Sequence, residues 1–414
     1  MFLFFKMAWR NIRRNLRRTL ITLSAITFGL SAMIVFFGFA DGFHGQWVEN
    51  TVKAYTGHIQ IYRSGYRDDP QLSRSIEDVS RVTRELRSDP AVNTFASRVE
   101  VQGLISTAEN SYGVLIRGID PEEEIKITAI KDRIIRGRYL EGSKGGLWAV
   151  RGVLIGYRLA ERLNADIGDK VVLMVQAADG SLTSELFRLK GIFRMGAVEL
   201  DSSFAMITLE DARRLALMGE RVTEIAVMLN RPEDVLPFAE RLKKRLSPSG
   251  YEVFTWDELM PALREMIELD NIFMYIILLV VLVVISLGIL NTMLMSIMER
   301  IREFGIMMAM GTTPGRVVLL VMLESFFIGL LGVILGAGIG IGVNRVISIR
   351  GFDLSRWGGA VEFFAILDPV IYPETDPRNV LWSCGIVFLT ALVVSVYPAL
   401  RAATLRPVEA MHHV

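Results

Sequence analysis

The sequence contains very little cysteine and almost no net charge. Cys384 is the only cysteine among 414 residues, which excludes an internal disulfide and a zinc site built from several cysteines. The formal net charge is +1, so the chain as a whole offers no electrostatic attraction for nucleic acid, and any argument from charge must be local. A large domain outside the cytoplasm would have to fold on its apolar core alone.

The signatures of nucleotide binding and of enzyme active sites are also missing from the sequence. No Gly-x-x-x-x-Gly-Lys-Ser/Thr phosphate loop occurs, and GTTPGR and GSKGG lack its spacing. His44 and His58 are isolated, and His412 and His413 are adjacent, where one helix or strand cannot aim both at one metal. No Gly-x-Ser-x-Gly elbow is present. The sequence therefore predicts no catalytic residue, no metal ligand and no cofactor site in this chain.

Hydrophobic residues make up 51% of the chain and gather in a few long runs. A helix needs about 20 apolar residues to cross a bilayer core of about 30 Å. Four runs meet this requirement and predict transmembrane helices over 20–40, 272–298, 317–347 and 381–402. The first run exceeds the apolar core of about 7–15 residues found in a cleavable signal peptide, so we expect it to stay attached.

Basic residues predict the orientation of these helices, because lysine and arginine remain on the cytoplasmic side. They precede the first run, separate the second from the third and follow the fourth, at Lys6, Arg10, Arg13, Arg14, Arg17, Arg18, Arg300, Arg302, Arg316, Arg401 and Arg406. Both termini are then cytoplasmic, with a basic N-terminal helix over 1–19 and a tail over 403–414. Residues 299–316 form a cytoplasmic loop, and 348–380 form an outer loop.

Residues 41–271 form a large insert on the outer side. Segments rich in β-branched and aromatic residues, such as HIQIY and KVVLMV, alternate with amphipathic segments such as LSRSIEDVSRVTRELRSDP. We expect a porter-like lobe from about 41–105 and 222–271, and a second lobe from about 106–221. The predicted fold class is a membrane α-helical protein with four transmembrane helices and a large α+β domain inserted between helices 1 and 2.

A short charged segment, ERIREFGIMMAMGTTPGR, separates the second run from the third. It predicts an amphipathic helix over 300–310 with Ile301, Phe304 and Met308 on one side. Gly311 marks its end. Such a face can lie on the lipid surface or dock into a cleft of a soluble partner. Because the sequence has no nucleotide site, a separate ATPase that pushes on this helix would account for the source of energy.

The third run has two unusual features. Gly332, Gly336 and Gly340 recur every four residues and form a smooth strip, suited either to packing within the subunit or to a dimer contact. Glu324 lies about two turns inside the run, where a carboxylate facing lipid is costly. It could belong to an ion relay, but it is the only acidic residue in that run, which favours a structural contact with the charged segment.

Three motifs together resemble one family. ERIREFGIMMAMGTTPGRVVLLVMLES, the terminal YPALRAATLRPVEAM and the N-terminal MAWRNIRRNLRRT are similar to those of the FtsX-like permeases of ATP-binding cassette (ABC) transporters, which include MacB and the lipoprotein-releasing permeases. The resemblance covers the whole chain. It implies that two permease subunits, the same or related chains, work with a dimer of separate ATPase subunits that bind ATP and magnesium. It also implies ATPase coupling through Glu299, Arg300, Arg302, Glu303, Phe304, Gly305, Ile306, Ala309, Met310 and Gly311.

Within this superfamily, YTGHIQIY, VLIRGIDPE and VLIGYRLAERLNADIGDKVVLM look most like the lipoprotein-releasing permeases. Those proteins extract lipoproteins from the outer leaflet of the bacterial inner membrane and pass them to a periplasmic carrier. The resemblance implies a cavity for acyl tails, lined by Met33, Phe36, Phe37, Phe39, Ile276, Leu279, Val280, Val283 and Leu287. The carrier-binding hairpin of one family member corresponds to 176–187, but QAADGSLTSELF is short and polar, so this chain departs from the pattern there.

Two other functions are compatible with the same resemblance. A MacB-like exporter would move peptides, drugs or lipids through adaptor proteins, although that group often carries a fused ATPase. An FtsX-like signalling scaffold would switch on a cell-wall hydrolase, although such permeases usually have a smaller outer domain. A lipid-like or peptide ligand retained in the membrane would indicate export or release, whereas a protein partner on the outer domain would indicate signalling.

Overall fold

The computed structural model describes residues 7–8, 10–11, 14, 16–141, 151–353 and 370–404. The chain divides into two compact units. One, the membrane unit, contains the described residues up to Gly45 and from Met266 onward. The other, the outer domain, contains Gln46–Glu265. Residues 405–414 of the predicted tail and residues 354–369 of the predicted outer loop over 348–380 lie outside the described residues.

The α-helices include long apolar helices and short ones that connect strands. They are α1 (Leu16–Thr51), α2 (Val79–Ser88), α3 (Pro121–Glu124), α4 (Tyr157–Leu163), α5 (Val198–Ser203), α6 (Leu209–Leu215), α7 (Val235–Leu246), α8 (Trp256–Leu259), α9 (Pro261–Glu299), α10 (Ile301–Ala309), α11 (Pro314–Arg350) and α12 (Pro377–Ala403). A π-helical turn, Val52–Thr56, continues α1. The side chain of Asp78 caps α2 and that of Thr208 caps α6, each by accepting a backbone hydrogen bond from the first turn.

Four helices are long and apolar enough to cross a membrane, among the residues that the structure describes: Leu16–Thr56, Pro261–Glu299, Pro314–Arg350 and Pro377–Ala403. Each contains one of the predicted runs, and the predicted fold class is confirmed. The helices are longer than the runs. The 39-residue helix Pro261–Glu299 would measure about 58 Å at 1.5 Å per residue, so it must extend well beyond a bilayer core of about 30 Å.

The strands belong almost entirely to the outer domain. They are β1 (Ile59–Arg63), β2 (Val92–Ser106), β3 (Ser111–Ile119), β4 (Ile134–Gly137), β5 (Gly152–Gly156), β6 (Lys170–Gln176), β7 (Leu182–Phe193), β8 (Phe204–Thr208), β9 (Glu224–Leu229) and β10 (Tyr251–Thr255), with a small pair, β11 (Phe352–Asp353) and β12 (Val370–Ile371), in the membrane unit. The outer domain is therefore mixed α and β, as predicted.

The ten strands of the outer domain form one sheet in the order β10-β1-β9-β2-β3-β8-β5-β7-β4, with β6 paired to β2 and β7. Strand β2 is long enough to take part in both predicted lobes: residues 92–98 pair with β9, and residues 103–106 pair with β6. The sheet is thus continuous across the predicted lobe boundary. The division into two lobes stays a prediction.

The core of the outer domain lies between the sheet and its helices. Val82 and Leu86 of α2, Leu215 of α6 and Phe238 and Leu242 of α7 are buried against inward-facing residues of the strands. The spacing of four residues places Val82 and Leu86 on one face of α2, and Phe238 and Leu242 on one face of α7. Helices this short depend on such packing for their stability.

The glycine strip of the third run packs inside the membrane unit. An added Cβ at Gly332 would lie 2.6 Å from the Ile26 side chain, and one at Gly340 would lie 2.9 Å from the Ile34 side chain. Helix α11 therefore approaches α1 closely along this strip, and any larger residue would force the two helices apart. Of the two readings that the sequence allows, the structure shows packing within one subunit.

Candidate coupling site and membrane face

Helix α10 is a short helix between two spanning helices. It begins at Ile301, directly after Arg300, and ends at Ala309, close to the predicted bounds of 300–310. The chain leaves the helix through Gly311, whose φ of +95° is unfavourable for any residue with a side chain. The sequence therefore sets the end of α10 through one glycine.

The predicted coupling residues divide into a buried set and an accessible set. Arg300, Phe304 and Gly305 are buried, and Glu303 is half-buried. The accessible residues are Glu299, Arg302, Ile306, Ala309, Met310 and Gly311. Met310 is 75% exposed and Ile306 is 43% exposed, which is unusual for large apolar side chains at a helix end. This accessible face of α10 could contact a soluble partner, whereas the buried residues can act only through their neighbours.

A buried ion pair lies at the start of α10. Arg300 Nη1 donates to both carboxylate oxygens of Glu324 on α11, at 3.0 and 3.1 Å. Arg300 Nε also donates to Glu303 at 3.0 Å, and the guanidinium lies 5.0 Å from the centre of the Phe304 ring. The predicted contact between Glu324 and the charged segment is therefore present. Because both partners are nearly inaccessible, each needs the other to offset its loss of hydration.

The N-terminal part of the chain reaches the same cluster. Asn11 Nδ2 donates to Glu324 at 2.6 Å, and Arg18 Nη1 donates to Ser296 Oγ at 2.5 Å. Arg18 also pairs with Glu299, and Arg14 pairs with Glu303. A cavity of about 20 Å³, lined in part by Arg18, Arg300 and Glu324, lies among them and has room for about one water molecule. Arg14 and Arg18 thus pair with acidic residues of α10 and α9, and Asn11 reaches the acidic residue of α11.

The predicted acyl-tail residues do not all face the same way. Met33 is buried in the core of the membrane unit, with Phe37 packed against that core. The Phe39 ring packs edge-on against the Phe352 ring, with centroids 5.7 Å apart. Exposed residues are Phe36, Ile276, Leu279, Val280, Val283 and Leu287. The chain alone therefore presents an apolar face on α9, and the proposed cavity residues of α1 are mostly used in packing.

Sequence reasoning missed a buried ionic network in the outer domain. Arg98 donates to both oxygens of Glu124, at 2.9 and 2.7 Å, and to Glu224 at 3.0 Å. Arg117 donates to Glu100 at 2.7 Å through Nε. Arg98 and Arg117 are completely buried. For Arg117 the sequence did contain a signal, because this arginine directly follows the apolar run VLI in VLIRGI.

The electrostatics of this network are consistent with a structural role. Burial raises the pKa of Glu100 above its usual range, although the charge of Arg117 opposes this shift. Burial also raises the pKa of Tyr62, whose hydroxyl donates to Glu224 at 2.9 Å. Every carboxylate of the network faces an arginine or a tyrosine hydroxyl, so the arrangement satisfies buried charges within the domain.

The hairpin at 176–187 corresponds to the end of β6, a tight turn and the start of β7. Its turn closes with the Ala177 N–H donating to the Ser181 carbonyl at 2.8 Å, so it has no extended hook. Large apolar side chains are nevertheless exposed on it and beside it, at Leu104, Met174, Leu182 and Leu186. The segment is short, as the sequence indicates, and its role in carrier binding stays a prediction.

Comparison with known families identifies the class of protein. A model of the FtsX-like permease C-terminal domain matches residues 275–407, and a model of the MacB-like periplasmic core domain matches residues 19–245. These matches cover both the outer domain and the later spans. The chain belongs to the FtsX and MacB family of ABC transporter permeases, and it is a membrane protein with a periplasmic-type domain.

Similar proteins of full length include lipoprotein-releasing permeases. The chain is 24% identical to the lipoprotein-releasing system transmembrane protein LolC of Neisseria meningitidis, over 95% of this chain and 94% of that protein. It is 21% identical to LolE of Haemophilus influenzae, over 98% of both chains. It is 23% identical to the macrolide export ATP-binding/permease protein MacB of Wolinella succinogenes, over 98% of this chain but 60% of that protein.

Among solved structures, the periplasmic region of MacB from Actinobacillus actinomycetemcomitans matches with a TM-score of 0.37 and 15% identity, over 53% of this chain and 97% of that structure.

Proposed function

We propose that this chain is the permease subunit of an ABC complex that extracts lipoproteins from the outer leaflet of the bacterial inner membrane and hands them to a periplasmic carrier. ATP and magnesium would be bound by a separate ATPase dimer. A second permease subunit, the same or a related chain, would complete the membrane part.

The observation that carries this proposal is the similarity to LolC along almost the whole length of both proteins. Similarity over the full length is important because the transmembrane helices, the outer domain and the coupling segment all take part in ATP-driven lipoprotein release. The exposed apolar face of α9 also supports the proposal. Acyl tails are recognised by apolar contact alone, and burial of each methylene contributes about 0.8 kcal/mol.

In this proposal, ATP-driven closure of the ATPase dimer pushes on the accessible face of α10. Met310 and Ile306 would insert into a cleft of the ATPase, where an unbranched methionine can repack as the cleft changes shape. The displaced helix would then move the spans and the outer domain, so that an acylated protein leaves the membrane without a small solute crossing it.

A MacB-like exporter of peptides, drugs or lipids is the second candidate. The match to the MacB-like core over residues 19–245 favours it. Against it, the MacB protein of Wolinella is named as an ATP-binding protein as well as a permease, and the present chain spans 60% of its length. The lipoprotein-releasing permeases LolC and LolE, by contrast, are matched over 94% and 98% of their length.

Purification from the native membrane tests the proposal. The full chain would carry a C-terminal tag, and mass spectrometry would identify every protein and every acylated peptide that remains bound. We expect an ATPase and triacylated lipoproteins. An ATPase with an adaptor protein and no lipoprotein would support the exporter instead. An ATPase with a cell-wall hydrolase would indicate signalling, and the absence of any ATPase would contradict all three.

A further inference from the structure

We propose that Arg300 and Glu324 are positioning residues that fasten the start of helix α10 to helix α11 and to the N-terminal segment, so that motion of α10 is transmitted directly to these elements. The inference rests on the proposed coupling role of α10 and extends it. In this inference, one buried ion pair and its neighbours carry the motion of α10 to α11 and to the N-terminal segment.

The first argument is the place of the pair in the chain. Arg300 is the single residue between Glu299, the last residue of α9, and Ile301, the first residue of α10. Its side chain bonds to Glu324, 24 residues later on α11. One side chain therefore connects the junction of two helices to a third helix, with no flexible linker in between.

The second argument is burial. The side chains of Arg300 and Glu324 are 7% and 9% exposed, whereas those of the nearby pair Arg14 and Glu303 are 53% and 43% exposed. An exposed pair contributes little and is readily exchanged for water. Separation of a buried pair leaves an uncompensated charge and is strongly unfavourable. The Arg300–Glu324 pair is therefore expected to stay intact while α10 is displaced.

The third argument is the convergence of the N-terminal segment on the same carboxylate. Asn11 donates to the Glu324 oxygen that Arg300 also contacts. Arg18 of α1 donates to Ser296 of α9, one turn before Arg300. These contacts link α1, α9, α10 and α11 at one place. They also leave Glu324 with donors on both oxygens, an arrangement suited to a fixed contact more than to an ion relay.

The two ends of α10 differ in their contacts with the rest of the membrane unit. The first end is held by the ion pair. The other end leaves through Gly311, where an added Cβ would meet no atom within 4 Å and where the backbone has a positive φ. The accessible Met310 lies directly before this glycine. A push on Met310 is then resisted at Arg300, and the force passes to Glu324 and α11.

Charge exchange tests the inference. The variants are Arg300→Glu, Glu324→Arg and the double exchange, each in the full complex with its ATPase in proteoliposomes. The matched control is Arg345→Glu, because Arg345 is an exposed arginine on the same helix α11. Three quantities are measured: ATPase bound per permease, ATP hydrolysed, and triacylated lipoprotein released per ATP.

We expect both single variants to retain bound ATPase and to release about tenfold less lipoprotein per ATP. The double exchange restores most of the loss, because the pair is re-formed with reversed polarity. The control behaves as the parent chain. Unchanged release per ATP in the single variants would overturn the inference. So would loss of ATPase binding that the double exchange does not restore, since that result indicates a role in folding only.

A second readout does not depend on the cargo. Replacement of Cys384 by serine removes the only cysteine, so Arg302→Cys on α10 and Val343→Cys on α11 can carry two spin labels. The distance distribution between them should broaden in Arg300→Glu and narrow again in the double exchange. If the parent complex hydrolyses ATP but releases no lipoprotein, the proposed function fails. If the label distances are the same in all variants, the positioning inference fails.

Discussion

At the scale of single residues, the outer domain contains arginine and glutamate side chains that have no access to water. Arg98 and Glu124 are fully buried and joined by two hydrogen bonds, and Glu224 bonds the same arginine. The network links β2, β9 and α3, which are distant in sequence. Such a network adds little to the free energy of unfolding, but removal of one partner leaves a buried charge uncompensated and lowers that free energy strongly.

Glu124→Gln should therefore destabilise the outer domain strongly, by roughly 3–5 kcal/mol, because it leaves Arg98 buried with one carboxylate fewer. The neighbouring Glu123→Gln is the matched control, since Glu123 is partly exposed and pairs with the exposed Lys126. Thermal unfolding of the purified full chain measures the difference. Equal melting temperatures for the two variants would show that the network does not restrain the domain.

The stability of the outer domain should depend on pH through His58. Its Nδ1 accepts a hydrogen bond from the Leu229 N–H at 3.0 Å, and burial lowers its pKa below the usual value of 6.5. The folded state thus favours the neutral ring. The unfolded state takes up a proton more readily, so stability should fall as the pH drops below 6.5. His58→Asn should show a smaller fall between pH 7 and pH 5, and an identical slope in both proteins would contradict this assignment.

At the scale of elements, helix α10 has a buried side and an accessible side. Its accessible apolar residues, Ile306 and Met310, lie where a soluble ATPase could reach them. Ile306→Glu and Met310→Glu should abolish the stimulation of ATP hydrolysis while the outer domain stays folded, because a charge cannot enter an apolar cleft without loss of hydration. Leu236→Glu, at an exposed leucine of α7, is the control. Undiminished hydrolysis in the α10 variants would refute the coupling role.

The close packing of α11 on α1 gives a second prediction at this scale. Gly332→Val should separate the two helices, because even a Cβ at Gly332 would lie 2.6 Å from Ile26. Gly338→Val adds the same side chain on the same helix where no atom lies within 4 Å of an added Cβ. For Gly332→Val only, we expect a lower melting temperature and less lipoprotein released per ATP hydrolysed. Comparable losses in both would mean that helix propensity, not packing, sets the effect.

The elements differ in how far the sequence predicts them. The spans are predictable because hydrophobic length is a local property, and α10 is predictable because Gly311 and Pro314 mark its surroundings. The order of strands in the sheet is not, since β1 pairs with β9 and β10, which come more than 160 residues later. The contact of Glu324 was predicted, but its links to Arg300 and Asn11 depend on how three helices meet.

At the scale of the whole molecule, two long helices cross the boundary in the chain between the membrane unit and the outer domain. Helix α1 and its π-helical turn run from Leu16 to Thr56, and α9 runs from Pro261 to Glu299, without a break. Each helix belongs in part to both units. These two helices therefore contain the points at which the chain passes from one unit to the other.

The central claim is that this permease uses the energy of a separate ATPase to release acylated proteins. The most direct measurement reconstitutes the full complex in proteoliposomes with a triacylated lipoprotein and follows its transfer to a soluble periplasmic carrier, with ATP or a non-hydrolysable analogue. The account predicts transfer with ATP, none with the analogue and none with Met310→Glu. ATP hydrolysis at the normal rate while all lipoprotein stays in the membrane would contradict it.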